Sequence, residues 1–127
     1  MKPRLLLHII AALMIWAPSA WAHEARPAFL EIKETEPDRY NLLWRTPLLA
    51  GIRLPVVLQL PDGARDTSEP VIQWLTDSVV ERRMIEAGRG GLAGKRIEFA
   101  GLQATITDVL VHVRMLDGHD ATTLVRP

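Results

Sequence analysis

Val109-Leu110-Val111-His112-Val113-Arg114-Met115-Leu116, then Asp117-Gly118-His119-Asp120 and Ala121-Thr122-Thr123-Leu124-Val125, is the stretch that decides how this chain folds. Successive side chains of a strand point to opposite faces, so a buried face reads as apolar residues at every second position. Val109, Val111, Val113 and Met115 point one way, and Leu110, His112, Arg114 and Leu116 the other. Residues 117–120 form a tight turn in which Gly118 can take a positive φ. Residues 121–125 are expected to pair back as the last strand.

The same period runs towards the N-terminus. Ala28, Leu30 and Ile32 alternate with Phe29, Glu31 and Lys33. After the turn Glu36-Pro37-Asp38, the residues Tyr40, Leu42, Trp44 and Thr46 alternate with Asn41, Leu43 and Arg45. The two segments read as a hairpin with a loop of several residues. Leu54, Val56, Leu58 and Leu60 give another apolar face, with Pro55 placing that strand at an edge or at its own start. Pro61-Asp62-Gly63 closes it. Residues 64–76 read as an irregular connection. Residues 79–86 mix apolar and charged side chains on both faces and read as an exposed strand. Gly88, Gly90, Gly91 and Gly94 suggest a flexible loop, and Ile97 and Phe99 a short strand that Gly101 ends.

No segment carries the 3.6-residue period of a long helix. About seven short strands separated by turns predict an all-β fold, an antiparallel β-sandwich of immunoglobulin-like general shape. Tyr40, Leu42 and Trp44 share the expected inner face, and both Trp44 and Trp74 are expected in the core.

Residues 1–22 read as a signal peptide: Lys2 and Arg4, an apolar run from Leu5 to Ala17, Pro18, and small residues at Ala20 and Ala22. The run falls short of the roughly 20 apolar residues of a membrane span. Cleavage would remove 22 of 127 residues, leaving 105 in one exported domain, 23–127, that begins at His23. Of 15 basic and 15 acidic residues, the signal holds Lys2 and Arg4, so the exported part has 13 against 15, a net −2. That balance argues against a nucleic-acid partner. The chain has no cysteine, which excludes disulfide staples, thiol catalysis and cysteine zinc sites.

Chemistry-bearing patterns are few. Residues 88–96 look superficially like a phosphate loop, but Arg89 and Arg96 stand where Gly and Ser or Thr are needed. Ser68 and Ser78, the serines of the exported part, lack a nucleophile elbow. No catalytic constellation emerges, and the chain reads as a non-enzyme. Arg82, Arg83, Arg89, Lys95 and Arg96 form a basic group around the glycine loop, the usual sign of a solvated surface, which could also face anionic headgroups. The histidines offer one alternative. A mature N-terminal His23 presents its α-amino group and imidazole together, a donor pair suited to copper or nickel. His112 or His119 could complete such a metal site, with Asp120 or Glu24 adding oxygen.

Three stretches carry a family resemblance. His23-Glu24-Ala25-Arg26-Pro27-Ala28-Phe29-Leu30-Glu31, Leu43-Trp44-Arg45-Thr46-Pro47, and Gly101-Leu102 with Thr107-Asp108-Val109-Leu110-Val111 resemble the exported β-rich domain of the longer HupE/UreJ family membrane proteins. In that family the domain precedes a multi-helix membrane domain, for which nickel or cobalt transport is proposed. The family's histidine-bearing membrane motif has no counterpart here, and no ligand or catalytic residue carries over. The resemblance implies a periplasmic or otherwise exported accessory domain, a truncated or separately encoded form, whose partner is a membrane protein or a missing membrane domain. The alternative is a periplasmic copper- or nickel-binding protein anchored on His23.

Overall fold

Two-residue alternation sets the architecture of the computed structural model, which describes residues 26–127; the expected signal segment and His23 lie outside the described residues. The strands are β1 (Ala28–Glu36), β2 (Arg39–Leu49), β3 (Ile52–Arg53), β4 (Val57–Gln59), β5 (Arg65–Asp66), β6 (Val71–Trp74), β7 (Ser78–Glu86), β8 (Glu98–Ala100), β9 (Val109–Arg114) and β10 (Asp120–Val125). The one helical element among the described residues is a 3-10 turn, Leu102–Ala104. No helix among them is long and apolar enough to cross a membrane.

The fold is all-β and sandwich-like, with unequal layers. One layer is an eight-stranded sheet with the order β10-β9-β1-β2-β7-β5, to which β3 adds on β2 and β6 on β7; the other is the pair β4-β8. Alternation predicts which face a side chain takes but not the direction of its neighbour. The sheet is mixed rather than purely antiparallel, because β1 and β9 run parallel, with Leu30 opposite Val111 and Glu31 opposite His112. A parallel pair needs a long crossover, and here everything from β2 to the 3-10 turn supplies it. The Ala28 N–H donating to the Asp108 carbonyl at 2.9 Å starts both strands at the same end.

β1 and β2 form the expected hairpin, with a loop of only two residues, Pro37 and Asp38, after a register shift between Glu34 and Glu36. Asp38 takes φ 63°, which aspartate tolerates better than most residues. β9 and β10 pair antiparallel as expected, across a turn in which Gly118 has φ 91°.

The inner face of the large sheet carries Leu30, Ile32, Tyr40, Leu42, Trp44, Ile85, Val109 and Val111. Leu54, Val56, Leu58 and Leu102 cover it, with Phe99, Ile97 and Leu92 packed against its rim. Trp44 is 1% exposed, as expected of a core residue. The glycine segment is tied down as part of this cover: the Leu92 N–H donates to Tyr40 Oη at 3.1 Å, and Lys95 Nζ to the Ala87 carbonyl at 2.6 Å.

Three local expectations are corrected. Residues 64–76 include two short strands, β5 and β6, both paired with β7. β7 is an interior strand with Ser78, Val79, Val80 and Ile85 buried. Its charges are accommodated because they are paired: Arg83 binds both oxygens of Asp66 at 2.8 and 2.7 Å, and Glu81 accepts from Arg53 at 3.3 Å. Trp74 is 63% exposed, because β6 lies at the sheet margin beyond the cover of β4 and β8.

Candidate functional site

His112 lies on the outer face of β9, opposite Glu31 of β1 and beside β10. Its Nε2 is 2.7 Å from Asp120 Oδ1, and its Nδ1 is 3.8 Å from Glu31 Oε2. Glu31 Oε2 also accepts a hydrogen bond from Arg114 at 3.0 Å. The two carboxylates therefore approach different ring nitrogens. The arrangement clamps β1, β9 and β10 together on their outer side.

His119 occupies the β9–β10 turn and engages a different carboxylate. Its backbone N–H donates to Asp117 Oδ1 at 2.9 Å, and its Nδ1 lies 2.9 Å from Asp117 Oδ2. Those contacts, the backbone one foremost, hold the Asp117 carboxyl below its ordinary pKa. The structure thus does not bring His112 and His119 to one site. Among the described residues no three His, Cys, Asp or Glu side chains converge to hold a metal. His23 lies outside the described residues.

The basic residues do not converge either. Arg82 and Arg83 take opposite faces of β7, Arg82 donating to Gln73 Oε1 at 3.0 Å and Arg83 pairing with Asp66. Ser78 donates to Asp77 Oδ1 at 2.9 Å and accepts from Arg45 Nε at 3.0 Å, which ties its hydroxyl into the Arg45–Asp77 pair.

A different feature gathers at one end of the large sheet. Val125 stands opposite Val109, Val109 opposite Ala28, Thr46 opposite Val79, and Val79 opposite Trp74, so these residues lie at that end, with only Pro47 opposite Ser78 paired beyond them in β2 and β7. Beyond these pairs the β2–β3 hairpin exposes Leu49 and Ile52, and the segment leading into β9 exposes Ile106. Ile52 is 72% and Ile106 86% exposed. Burying such a side chain is worth about 1.5–3 kcal/mol, so each of the three gains from being covered. Beside them Asp77 receives Arg26 and Arg45, the latter at 3.2 Å. The Ser78 hydroxyl first, then the two guanidinium groups, hold the Asp77 carboxyl below its ordinary range. This apolar end with a polar anchor at its side was not visible in the sequence, because its members come from three separate loops.

Compared with known proteins, the chain matches no family model, no curated protein and no solved structure.

Proposed function

We propose that this chain is a non-enzymatic exported accessory domain that works by docking on a membrane protein of the HupE/UreJ type. The observation that carries the reading is the exposed apolar end formed by Leu49, Ile52 and Ile106. Arg26, where the described chain begins, and Val125, at the end of β10, lie at that same end. Exposed apolar side chains at this end, with the charged group Arg26, Arg45 and Asp77 to one side to set orientation, are suited to binding another protein. The resemblance of residues 23–31, 43–47 and 101–111 to the exported domain of that family supplies the partner's class.

Cell fractionation tests this. The chain, expressed together with a HupE/UreJ membrane protein, is expected in the exported fraction and retained on membranes only when that protein is present. Retention in its absence, or a chain that stays in the cytoplasm, contradicts the reading.

A further inference from the structure

β6 ends its side of the sheet with four residues, Val71-Ile72-Gln73-Trp74, every one exposed and none charged. Among the described residues it pairs only with β7. Free sheet edges are ordinarily blunted by charge, proline or a bulge, because their unpaired backbone groups template another strand. Within β6 itself none of these devices is present; Glu69 and Pro70 stand just ahead of it.

The hydrogen-bond pattern determines which groups face out. The Leu75 N–H donates to the Ser78 carbonyl at 2.8 Å, closing the β6–β7 hairpin. In an antiparallel ladder bonded residues alternate. Val71, Gln73 and Leu75 therefore turn their backbone groups towards β7, and Ile72 and Trp74 turn theirs to the open edge. Ile72 and Trp74 also share a face, being opposite Glu81 and Val79.

We propose that β6 pairs antiparallel with β6 of a second copy about a two-fold axis through Gln73, continuing the sheet across a dimer. An axis perpendicular to the sheet keeps each face on its own side, so only residues of like facing can stand opposite one another. With the axis at Gln73, Ile72 faces Trp74 of the second copy and Trp74 faces its Ile72. Both are bonded pairs, and together they make four backbone hydrogen bonds. An axis at Ile72 instead sets Pro70, which has no N–H, opposite Trp74, and loses bonds. The chosen register also places Val71 opposite Leu75 of the second copy. It thus covers the exposed Val71, Ile72, Trp74 and Leu75 in one contact, with aromatic against β-branched side chains. No charged residue of either strand is opposed. Uncharged and self-complementary, the edge fits its own copy, and a two-fold contact closes without leaving a further edge for growth.

Sedimentation of the exported chain over a concentration series is expected to reveal a species of twice the monomer mass, and Ile72→Lys to abolish it while leaving the far-UV spectrum unchanged. A cysteine-free chain also allows a positional test. Gln73 of the two copies would form a non-bonded pair with Cα atoms about 4.5 Å apart, within disulfide range. Gln73→Cys is expected to give a covalent dimer on oxidation. Val71→Cys, about 13 Å from its counterpart at four residues' offset, is not. A monomer at every concentration would assign the edge to another protein or to residues 1–25 and overturn the proposal. So would a dimer indifferent to Ile72→Lys, or crosslinking at 71 rather than 73.

Discussion

Phe99 of the small sheet lies tilted against Trp44 of the large one, with ring centroids 5.3 Å apart and planes at 34°. This pair joins the two layers. Trp44 is almost fully buried while Phe99 keeps some exposure, so the two truncations should differ in cost. Trp44→Ala is expected to lose about 3–5 kcal/mol of stability in urea unfolding, and Phe99→Ala less. Against a typical margin of about 5–15 kcal/mol the first loss is severe. An unfolding curve for Trp44→Ala that matches the parent would remove the tryptophan from the core.

Much of this was legible in the sequence. The alternation in residues 28–33, 40–46 and 109–116 identified β1, β2 and β9 with their correct inner faces, because one face of each is continuously apolar. Two of the three corrections over residues 64–86 concern burial and have one physical source. Charge alone suggests exposure, yet Glu81 and Arg83 lie on the covered side of β7 because Arg53 and Asp66 neutralise them. The apolar Val71-Ile72-Gln73-Trp74 run is exposed because nothing among the described residues lies beyond it. Its composition, β-prone and uncharged between Pro70 and Asp77, was a strand signal. The parallel pairing of β1 with β9 was illegible, since a strand's pattern does not encode its neighbour's direction.

The glycine segment tests whether its contact with the core matters. A Cβ on Gly91, whose φ is +63°, would sit 2.3 Å from Tyr40 Oη. Gly91→Ala must therefore displace the hydroxyl that accepts from the Leu92 N–H. Tyr40→Phe keeps the ring and removes only that acceptor, leaving the N–H unpaired at a cost of about 1–3 kcal/mol. Both variants are expected to lower the thermal midpoint and to speed amide exchange at Leu92. If exchange there is unchanged in Tyr40→Phe, the hydrogen bond is not holding the segment.

Two carboxylate–arginine pairs at the β5–β7 contact should differ in worth. The Arg83–Asp66 pair is bidentate, with side chains 16% and 30% exposed, whereas Arg65–Glu86 is a single contact with Arg65 76% exposed. Asp66→Ala leaves the largely covered Arg83 guanidinium with only Glu81, 3.7 Å away, and is expected to cost about 1.5–3 kcal/mol. Arg65→Ala is expected to cost less than about 1 kcal/mol. Equal losses in chemical denaturation would contradict the ranking.

Acid should weaken the fold through Asp77, Glu86 and Asp117. Asp77 and Asp117 titrate below their ordinary 3.8 and Glu86 below its ordinary 4.5, the last because Arg65 hydrogen-bonds its carboxylate. A carboxyl with a lower pKa in the folded than in the unfolded chain stabilises the fold above the unfolded value. That contribution disappears as the pH falls through the folded value. The thermal midpoint is therefore expected to hold near neutrality and to drop below about pH 4–5. Asp77→Asn is expected to flatten part of that drop, and a variant as acid-sensitive as the parent would deny Asp77 its share.

The affinity of the purified chain for a HupE/UreJ membrane protein in detergent, compared with that of Ile52→Asp and Ile106→Asp, is the measurement to make. Both are the most exposed large apolar side chains among the described residues, so neither substitution should disturb the core. Docking through the apolar end predicts measurable binding by the parent and at least a tenfold loss in each variant, about 1.4 kcal/mol. Binding that is absent in the parent, or undiminished in both variants, would contradict it.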